Sequence, residues 1–126
     1  MVVGSGSTMG RDQPLIADAT EWNGTIYLSG RADVDPATLE VRSDDFAQQA
    51  KSVLRDIFRV LEECGSGPDR VLRVECYLAR PADFDTWNAV FAESFPRSRP
   101  ARTTIVASFP VPGLLVEIQA TAAVAP

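Results

Sequence analysis

Two charged residues, Arg102 and Glu117, stand within strand-like runs of otherwise apolar sequence near the C-terminus. A charge in such a position is costly unless a partner or a ligand satisfies it. Arginine stays protonated at any working pH, and its planar fork matches a carboxylate in a bidentate way. Arg102 is therefore a candidate anchor for an anionic small molecule. Glu117, on the following strand, can pair with it or position a water molecule.

The sequence contains no histidine. This excludes Ser-His-Asp and Cys-His nucleophile systems, histidine-ligated zinc or iron, and imidazole base catalysis within the chain. Cys64 and Cys76 are twelve residues apart, which fits neither a C-x-x-C redox pair nor a zinc ligand set. We expect both thiols to be packing residues, and we expect no metal and no cofactor.

Composition predicts a globular protein of one domain. The chain has 126 residues, 45% of them hydrophobic, and a formal net charge of -5. An acidic chain is a poor partner for nucleic acid. No apolar run approaches the roughly 18 residues of a membrane span, and the N-terminus does not resemble a signal peptide. We expect a cytoplasmic protein with a flexible tail over residues 1–13, a single domain over residues 14–126, and neither a membrane nor a nucleic acid as partner.

The first half of the chain predicts a hairpin followed by a helix. Strand-like runs over residues 15–20 and 25–29 flank Asn23-Gly24, a strong hairpin turn signal. From Ser43, apolar residues recur at three- and four-residue spacing for about twenty residues, which is typical of an amphipathic helix. Ser43 or Asp44 is the expected N-cap, and Gly65 the expected end.

The second half predicts a strand, a helix and two more strands. The run over residues 71–79 alternates, with Leu72, Val74, Cys76 and Leu78 on its apolar face. A helix with Phe84, Trp87, Asn88, Phe91 and Phe95 on one stripe follows Pro81 and ends at Pro96. The final strands cover residues 102–109 and 114–124. The predicted fold class is α+β, in the order β-β-α-β-α-β-β, with a mixed sheet packed on one side by two helices.

The second face of this sheet is predicted to carry a mixture of polar and apolar side chains. Its members by parity are Arg73, Glu75, Tyr77, Arg102, Thr104, Val106, Glu117, Gln119 and Thr121. In a monomer such a face meets solvent. In an oligomer it lines a shared interior, where its polar groups need mutual partners.

Several segments, in consistent order over roughly residues 14–123, resemble motifs of the reactive intermediate deaminase family, RidA or YjgF. They are Ile26-Tyr27-Leu28-Ser29-Gly30, Asp35-Pro36, Val74-Glu75-Cys76-Tyr77-Leu78, Asp83-Phe84, Trp87-Asn88-Ala89-Val90-Phe91, Pro100-Ala101-Arg102-Thr103 and Val116-Glu117-Ile118-Gln119-Ala120. The resemblance implies a chorismate-mutase-like fold, assembled as a homotrimer with ligand sites between subunits. It also implies hydrolysis of enamine or imine acids, which derive from amino acids, to 2-keto acids and ammonia.

Carried over residue by residue, the resemblance implies that Arg102 binds the substrate carboxylate and that Glu117 positions or activates the attacking water. Ser29, Gly30 and Asn88 would line the pocket. Two positions depart from the family pattern and would also line it. Ile16 stands where typical deaminases have a pocket tyrosine, and Thr104 stands where many have cysteine.

These departures leave two classes of function open. One is the hydrolytic deaminase, acting on a small carboxylate. The other is a non-catalytic protein that binds or senses a small carboxylate, such as a 2-keto acid, in the same intersubunit cleft. Ribonuclease activity, which is sometimes attributed to the family, fits an acidic chain without histidine poorly.

Overall fold

The computed structural model describes residues 15–126 and the backbone of Val2–Val3. Its strands are β1 (Val2–Val3), β2 (Ala19–Trp22), β3 (Thr25–Leu28), β4 (Val71–Leu78), β5 (Ala101–Val106) and β6 (Val116–Ala123). Its α-helices are α1 (Phe46–Glu63) and α2 (Phe84–Ser94), and single 3-10 turns over Pro68–Arg70 and Pro81–Asp83 precede β4 and α2. Apart from β1, which pairs with β2, the predicted tail lies outside the described residues.

The strands form one mixed sheet in the order β1-β2-β3-β6-β4-β5. β4 and β5 run parallel and are connected through α2, whereas the other neighbours are antiparallel. One face of the sheet and the two helices share a core that includes Ile57, Trp87 and Ile118. The predicted mixed sheet, with two helices on one side, is confirmed.

The predicted hairpin forms around a two-residue turn. Asn23 and Gly24 have φ values of 51° and 81°. Two successive residues with positive φ match the right-handed twist of a tight hairpin, which explains the Asn-Gly pair. The first strand of the hairpin, β2, begins only at Ala19. Residues 15–18, which were predicted to belong to it, lie outside the strand.

Helix α1 begins later than predicted. Asp45 is the N-cap, because its carboxylate accepts a hydrogen bond from the backbone N–H of Gln48 at 3.0 Å. Ser43 Oγ instead accepts a hydrogen bond from the backbone N–H of Asp45, which precedes the first helical residue. At the other end Gly65 has φ 80°, and the N–H of Ser66 reaches the carbonyl of Leu61. This is a Schellman-type ending, for which glycine is favoured.

Strand β4 corrects the prediction for Leu72. The pairing of β4 with β6 is irregular between Val71 and Arg73, where a bulge interrupts the alternation of side chains. Val71 is consequently buried, and Leu72 is 52% exposed. From Val74 onward the predicted alternation holds, with Val74, Cys76 and Leu78 buried.

Candidate functional site

Strand β5 carries Arg102 and Thr104 on the helix-covered face of the sheet. In the parallel register, Arg102 is the partner of Val74, and Thr104 is the partner of Cys76. Paired residues share a face, and both partners here are buried core residues. The predicted parity, with Arg102, Thr104 and Val106 on the mixed face, was therefore wrong. β5 is an edge strand with little burial of its own, so its sequence alternation did not reveal its orientation.

The Arg102 guanidinium is held by aromatic rings and one amide. Its Cζ lies 4.9 Å from the ring centroid of Phe91 and 5.8 and 5.9 Å from those of Phe84 and Trp87. Its Nη2 donates to Asn88 Oδ1 at 2.7 Å. Within the described part of the chain, neither Nε nor Nη1 has a hydrogen-bond partner, and no carboxylate forms a salt bridge with this arginine. A half-buried cation with open donors is suited to a ligand anion.

Thr104 lies on the same face of the sheet as Arg102, and its hydroxyl has a hydrogen-bond partner there. Its Oγ1 accepts a hydrogen bond of 3.1 Å from Nε1 of the fully buried Trp87. A buried indole N–H needs such a partner, and the threonine hydroxyl retains its own proton to donate. On the neighbouring strand, burial raises the pKa of the Cys76 thiol to about 12, and the positive charge of Arg102 offsets only part of this effect. Cys76 is a packing residue rather than a nucleophile.

Glu117 lies on the opposite face of the sheet, where its cross-strand partner is Tyr77. Its carboxylate lies against the backbone of Gly30, since a Cβ added to that glycine would be 2.6 Å from Glu117 Oε2. Arg31, which follows Gly30 in the chain, exchanges two backbone hydrogen bonds with Ile118, at 2.8 and 3.0 Å. These bonds fix the segment after β3 beside β6, so that Gly30 leaves room for the carboxylate.

Ser29 and Ile16 belong to the same region as Gly30. Ser29 Oγ donates to the carbonyl of Ala17 at 2.6 Å, and Ser29 N–H donates to the carbonyl of Asp18 at 3.0 Å. Ile16 is exposed, and it lines a groove together with Ser29 and Gly30. The two hydrogen bonds of Ser29 hold the end of β3 against the segment that precedes β2.

The predicted site residues therefore form two groups in one chain. Arg102, Asn88 and Thr104 lie together under α2, and Glu117, Gly30, Ser29 and Ile16 lie around the end of β3. From Arg102 to Glu117 the sheet spans about 10 Å across two strand spacings and about 10 Å along three residues. Because the two side chains also point to opposite faces, a small carboxylate cannot touch both within one chain.

An ion-pair network beside Gly30 was not predicted. Arg31 donates to Asp56 at 2.6 Å and to Asp18 at 3.1 Å, and Arg59 also donates to Asp56. Burial alone would raise the pKa of Asp56, but hydrogen bonds and charges from Arg59 and Arg31 outweigh it and lower that pKa. The network fastens the segment after β3 to α1. The sequence offered no signal for it, because its members are separated along the chain.

The described residues contain no group of three or more His, Cys, Asp or Glu side chains that could hold a metal ion. No helix in this part of the chain is long and apolar enough to cross a membrane.

Comparison with known proteins identifies the family. A protein-family model described as Endoribonuclease L-PSP, the RidA/YjgF family, matches residues 13–124. The chain belongs to this family. The resemblance drawn from the sequence motifs is confirmed.

Relatives within the RidA/YjgF family carry different names. A 2-iminobutanoate/2-iminopropanoate deaminase of Bos taurus is 37% identical over 103 residues, which cover 81% of this chain and 74% of the relative. A Lactococcus lactis protein that bears the regulator name AldR is 33% identical over 103 residues, 81% of each chain. The crystal structure of RidA from a Psychrobacter species matches 98% of this chain and 99% of its own at 27% identity, with a TM-score of 0.82. The RidA/YjgF-like α+β fold is confirmed.

Proposed function

We propose that this chain hydrolyses reactive enamine and imine intermediates derived from amino acids, and releases a 2-keto acid and ammonia. Support at the family level comes from the likeness to deaminases named for 2-iminobutanoate and 2-iminopropanoate. The observation on this chain that carries the proposal is the Arg102 guanidinium, which is fixed in orientation yet has no carboxylate partner among the described residues. The carboxylate of an imino acid would supply that partner.

The substrate cleft is proposed to lie between two copies of the chain. Arg102 and Glu117 cannot reach one small substrate from the same chain, because they lie on opposite faces and two strands apart. A second copy can bring its own Glu117, Gly30, Ser29 and Ile16 to the Arg102 of the first. A homotrimer, as the family resemblance implies, closes such a head-to-tail contact into a ring with three equivalent sites.

The proposed chemistry needs only water. Arg102 holds the carboxylate, and Asn88 orients Arg102 through its 2.7 Å hydrogen bond. Water adds to C2 of the imine while Glu117 takes one of its protons and passes it to the nitrogen, which gives a carbinolamine. The hydroxyl proton of the carbinolamine then passes through Glu117 to the nitrogen as the C–N bond breaks, so that C2 keeps the oxygen as a carbonyl and ammonia leaves. Imine and water thus give a 2-keto acid and ammonia. The protein contributes orientation and proton transfer, which suits a chain without histidine.

A coupled assay tests this proposal. An amino acid oxidase or dehydratase generates the imino acid, and release of the 2-keto acid is followed with and without the protein. We expect faster release with the wild type and none of this acceleration with Arg102→Ala. Arg97→Ala is the matched control, because Arg97 is 81% exposed and, among the described residues, its only ion pair is with Asp69. No acceleration with imines of several amino acids would contradict the proposal.

Binding without turnover is the second candidate. Ile16 cannot supply the hydroxyl that the family pattern has at this position, and the Thr104 hydroxyl already serves Trp87. The Lactococcus lactis relative with a regulator name matches 81% of this chain, the same share as the Bos taurus deaminase. Stabilisation by 2-keto acids in thermal unfolding, with no acceleration of imine hydrolysis, would favour this candidate.

A further inference from the structure

A groove separate from the Arg102 pocket runs between α1 and the segment that follows β3. Its volume is about 840 Å³, within the rough range of 300–1,000 Å³ for small-molecule sites. Arg102, Asn88, Thr104 and Glu117 are not among its lining residues. The groove thus includes the Ser29–Gly30 segment but neither Arg102 nor Glu117.

A buried carboxylate organises one wall of the groove. Asp33 is only 5% exposed, and its Oδ1 accepts from Ser52 Oγ at 2.9 Å and from Arg42 Nη1 at 3.4 Å. The Arg42 side chain is 55% exposed, and its ion pair with Asp33 is long. Asp33 therefore holds Arg42 beside α1 while leaving most of the guanidinium open to the groove.

A second open cation lies on the same stretch of α1. Arg55 lines the groove and follows Ser52 by three residues, so the two side chains lie on one helix face. Arg55 is exposed and has neither a hydrogen bond nor a salt bridge to any residue that the structure describes. The other lining arginines, Arg31 and Arg59, are each bound by carboxylates. The groove thus presents two cations without a strong partner.

The remaining lining is partly apolar. Val34, Pro36 and Leu39 line the groove from the segment after β3, and Ile16 adds a further exposed apolar side chain. Leu39 has φ 60°, which is uncommon for a bulky residue, and its side chain is exposed. A strained backbone that presents an apolar side chain at a groove is typical of a functional segment.

We propose that this groove binds a small organic carboxylate with an aliphatic tail. The carboxylate would lie between Arg42 and Arg55, since charge-assisted bonds from guanidinium groups are the strongest available there. The tail would lie on Leu39, Val34 and Ile16, whose exposed surface it would cover. The groove shares Ile16, Ser29 and Gly30 with the proposed deaminase cleft, but its carboxylate anchors, Arg42 and Arg55, are not Arg102, so the two sites bind a carboxylate through different residues.

The test measures octanoate binding by calorimetry in the Arg102→Gln protein, so that the proposed catalytic pocket does not contribute. We expect saturable binding of octanoate, below its micelle concentration, and much weaker binding of octanol and acetate. Adding Arg55→Gln to this protein should lower its affinity for octanoate about tenfold. Adding Lys51→Gln, which removes an exposed charge from the same helix outside the groove, should leave the affinity unchanged.

Three results would overturn the assignment: no saturable binding, equal effects of Arg55→Gln and Lys51→Gln, or octanol binding as tightly as octanoate. The same pair of variants measured in the wild-type background guards against a fold defect caused by Arg102→Gln. Failure here leaves imine hydrolysis untouched, because that activity is measured separately and depends on Arg102.

Discussion

Asn88 Oδ1 accepts a hydrogen bond from Arg102 Nη2 at 2.7 Å, while the Phe91 ring lies 4.9 Å from the centre of the same guanidinium. One turn of α2 therefore sets both the position and the orientation of the proposed carboxylate anchor. Arg102 Nε and Nη1 have no hydrogen-bond partner among the described residues. This relationship gives Asn88 a role through Arg102, beyond the pocket-lining role that the sequence suggested.

Substitution of Asn88 should separate orientation from charge. We expect Asn88→Ala to raise KM for the imino acid about tenfold, with a smaller change in kcat, because a binding contact loses its orientation. Asn88→Asp should be worse, since a carboxylate at 2.7 Å would pair with Arg102 and compete with the substrate. Steady-state kinetics of both variants check this. An Asn88→Asp protein with wild-type KM would contradict the role of Arg102 as anchor.

Gly30→Ala should impair turnover with little loss of stability. The new Cβ would meet Glu117 Oε2 at 2.6 Å, and this flexible carboxylate would have to move. We expect kcat to fall roughly 10- to 100-fold, as for other small displacements of a reacting group. The free energy of unfolding should change by about 1 kcal/mol or less.

Gly67→Ala is the control for this substitution, because an added Cβ meets nothing within 4 Å there. Urea unfolding and kcat are measured on both variants. Equal kcat values would indicate that the position of Glu117 does not matter for turnover.

The Asp56 network should make stability depend on pH in the acid range. The pKa of Asp56 is lower in the folded chain than its ordinary value of 3.8, so the folded state binds fewer protons there. Its contribution is present above that ordinary value and is lost as the pH falls through the folded value. Because these side chains are partly exposed, we expect about 1 kcal/mol or less.

Urea unfolding of the wild type and Asp56→Asn at pH 7 and near pH 3 checks this dependence. The difference between the two proteins should shrink in acid. A difference that grows in acid would contradict the assignment.

The two cysteines should react at different rates with iodoacetamide. At pH 8 a thiol whose pKa is about 12 is ionised in about one molecule in ten thousand, and Cys76 is also buried. Burial raises the pKa of Cys64 as well, but that side chain is partly exposed. Mass spectrometry should find Cys64 modified first, and Cys76 only after urea is added. Rapid modification of Cys76 in the folded protein would contradict its burial.

Local signals in the sequence predicted most of the fold. The Asn23-Gly24 turn follows from backbone conformations that these residues adopt easily, and α1 follows from its apolar spacing. Both are decided by neighbours along the chain. The order of strands and helices from β2 onward was therefore predictable without knowledge of tertiary contacts, whereas β1, in the predicted flexible tail, was not predicted.

The errors arose where tertiary pairing overrides alternation. Leu72 is exposed because the irregularity in β4 leaves it without a partner on β6, and β5 turns Arg102 toward the core because of its register with β4. The irregularity in β4, a central strand, and the register of β5, a short edge strand, leave no mark in the sequence. The same limit applies to the candidate site. The motifs indicated Arg102 and Glu117, but only the strand pairing reveals that one chain holds them apart.

Subunit complementation tests whether Arg102 of one chain and Glu117 of a neighbouring chain form one site. Arg102→Ala and Glu117→Gln chains are each expected to be inactive alone, because every intersubunit site lacks one group. After the two proteins are unfolded together and refolded as a mixture, about one quarter of the sites should combine an intact Arg102 with an intact Glu117 from a neighbouring chain. We expect imine hydrolysis to return to about that fraction of the wild-type rate. A mixed preparation that forms hybrid oligomers yet stays as inactive as its parents would contradict it.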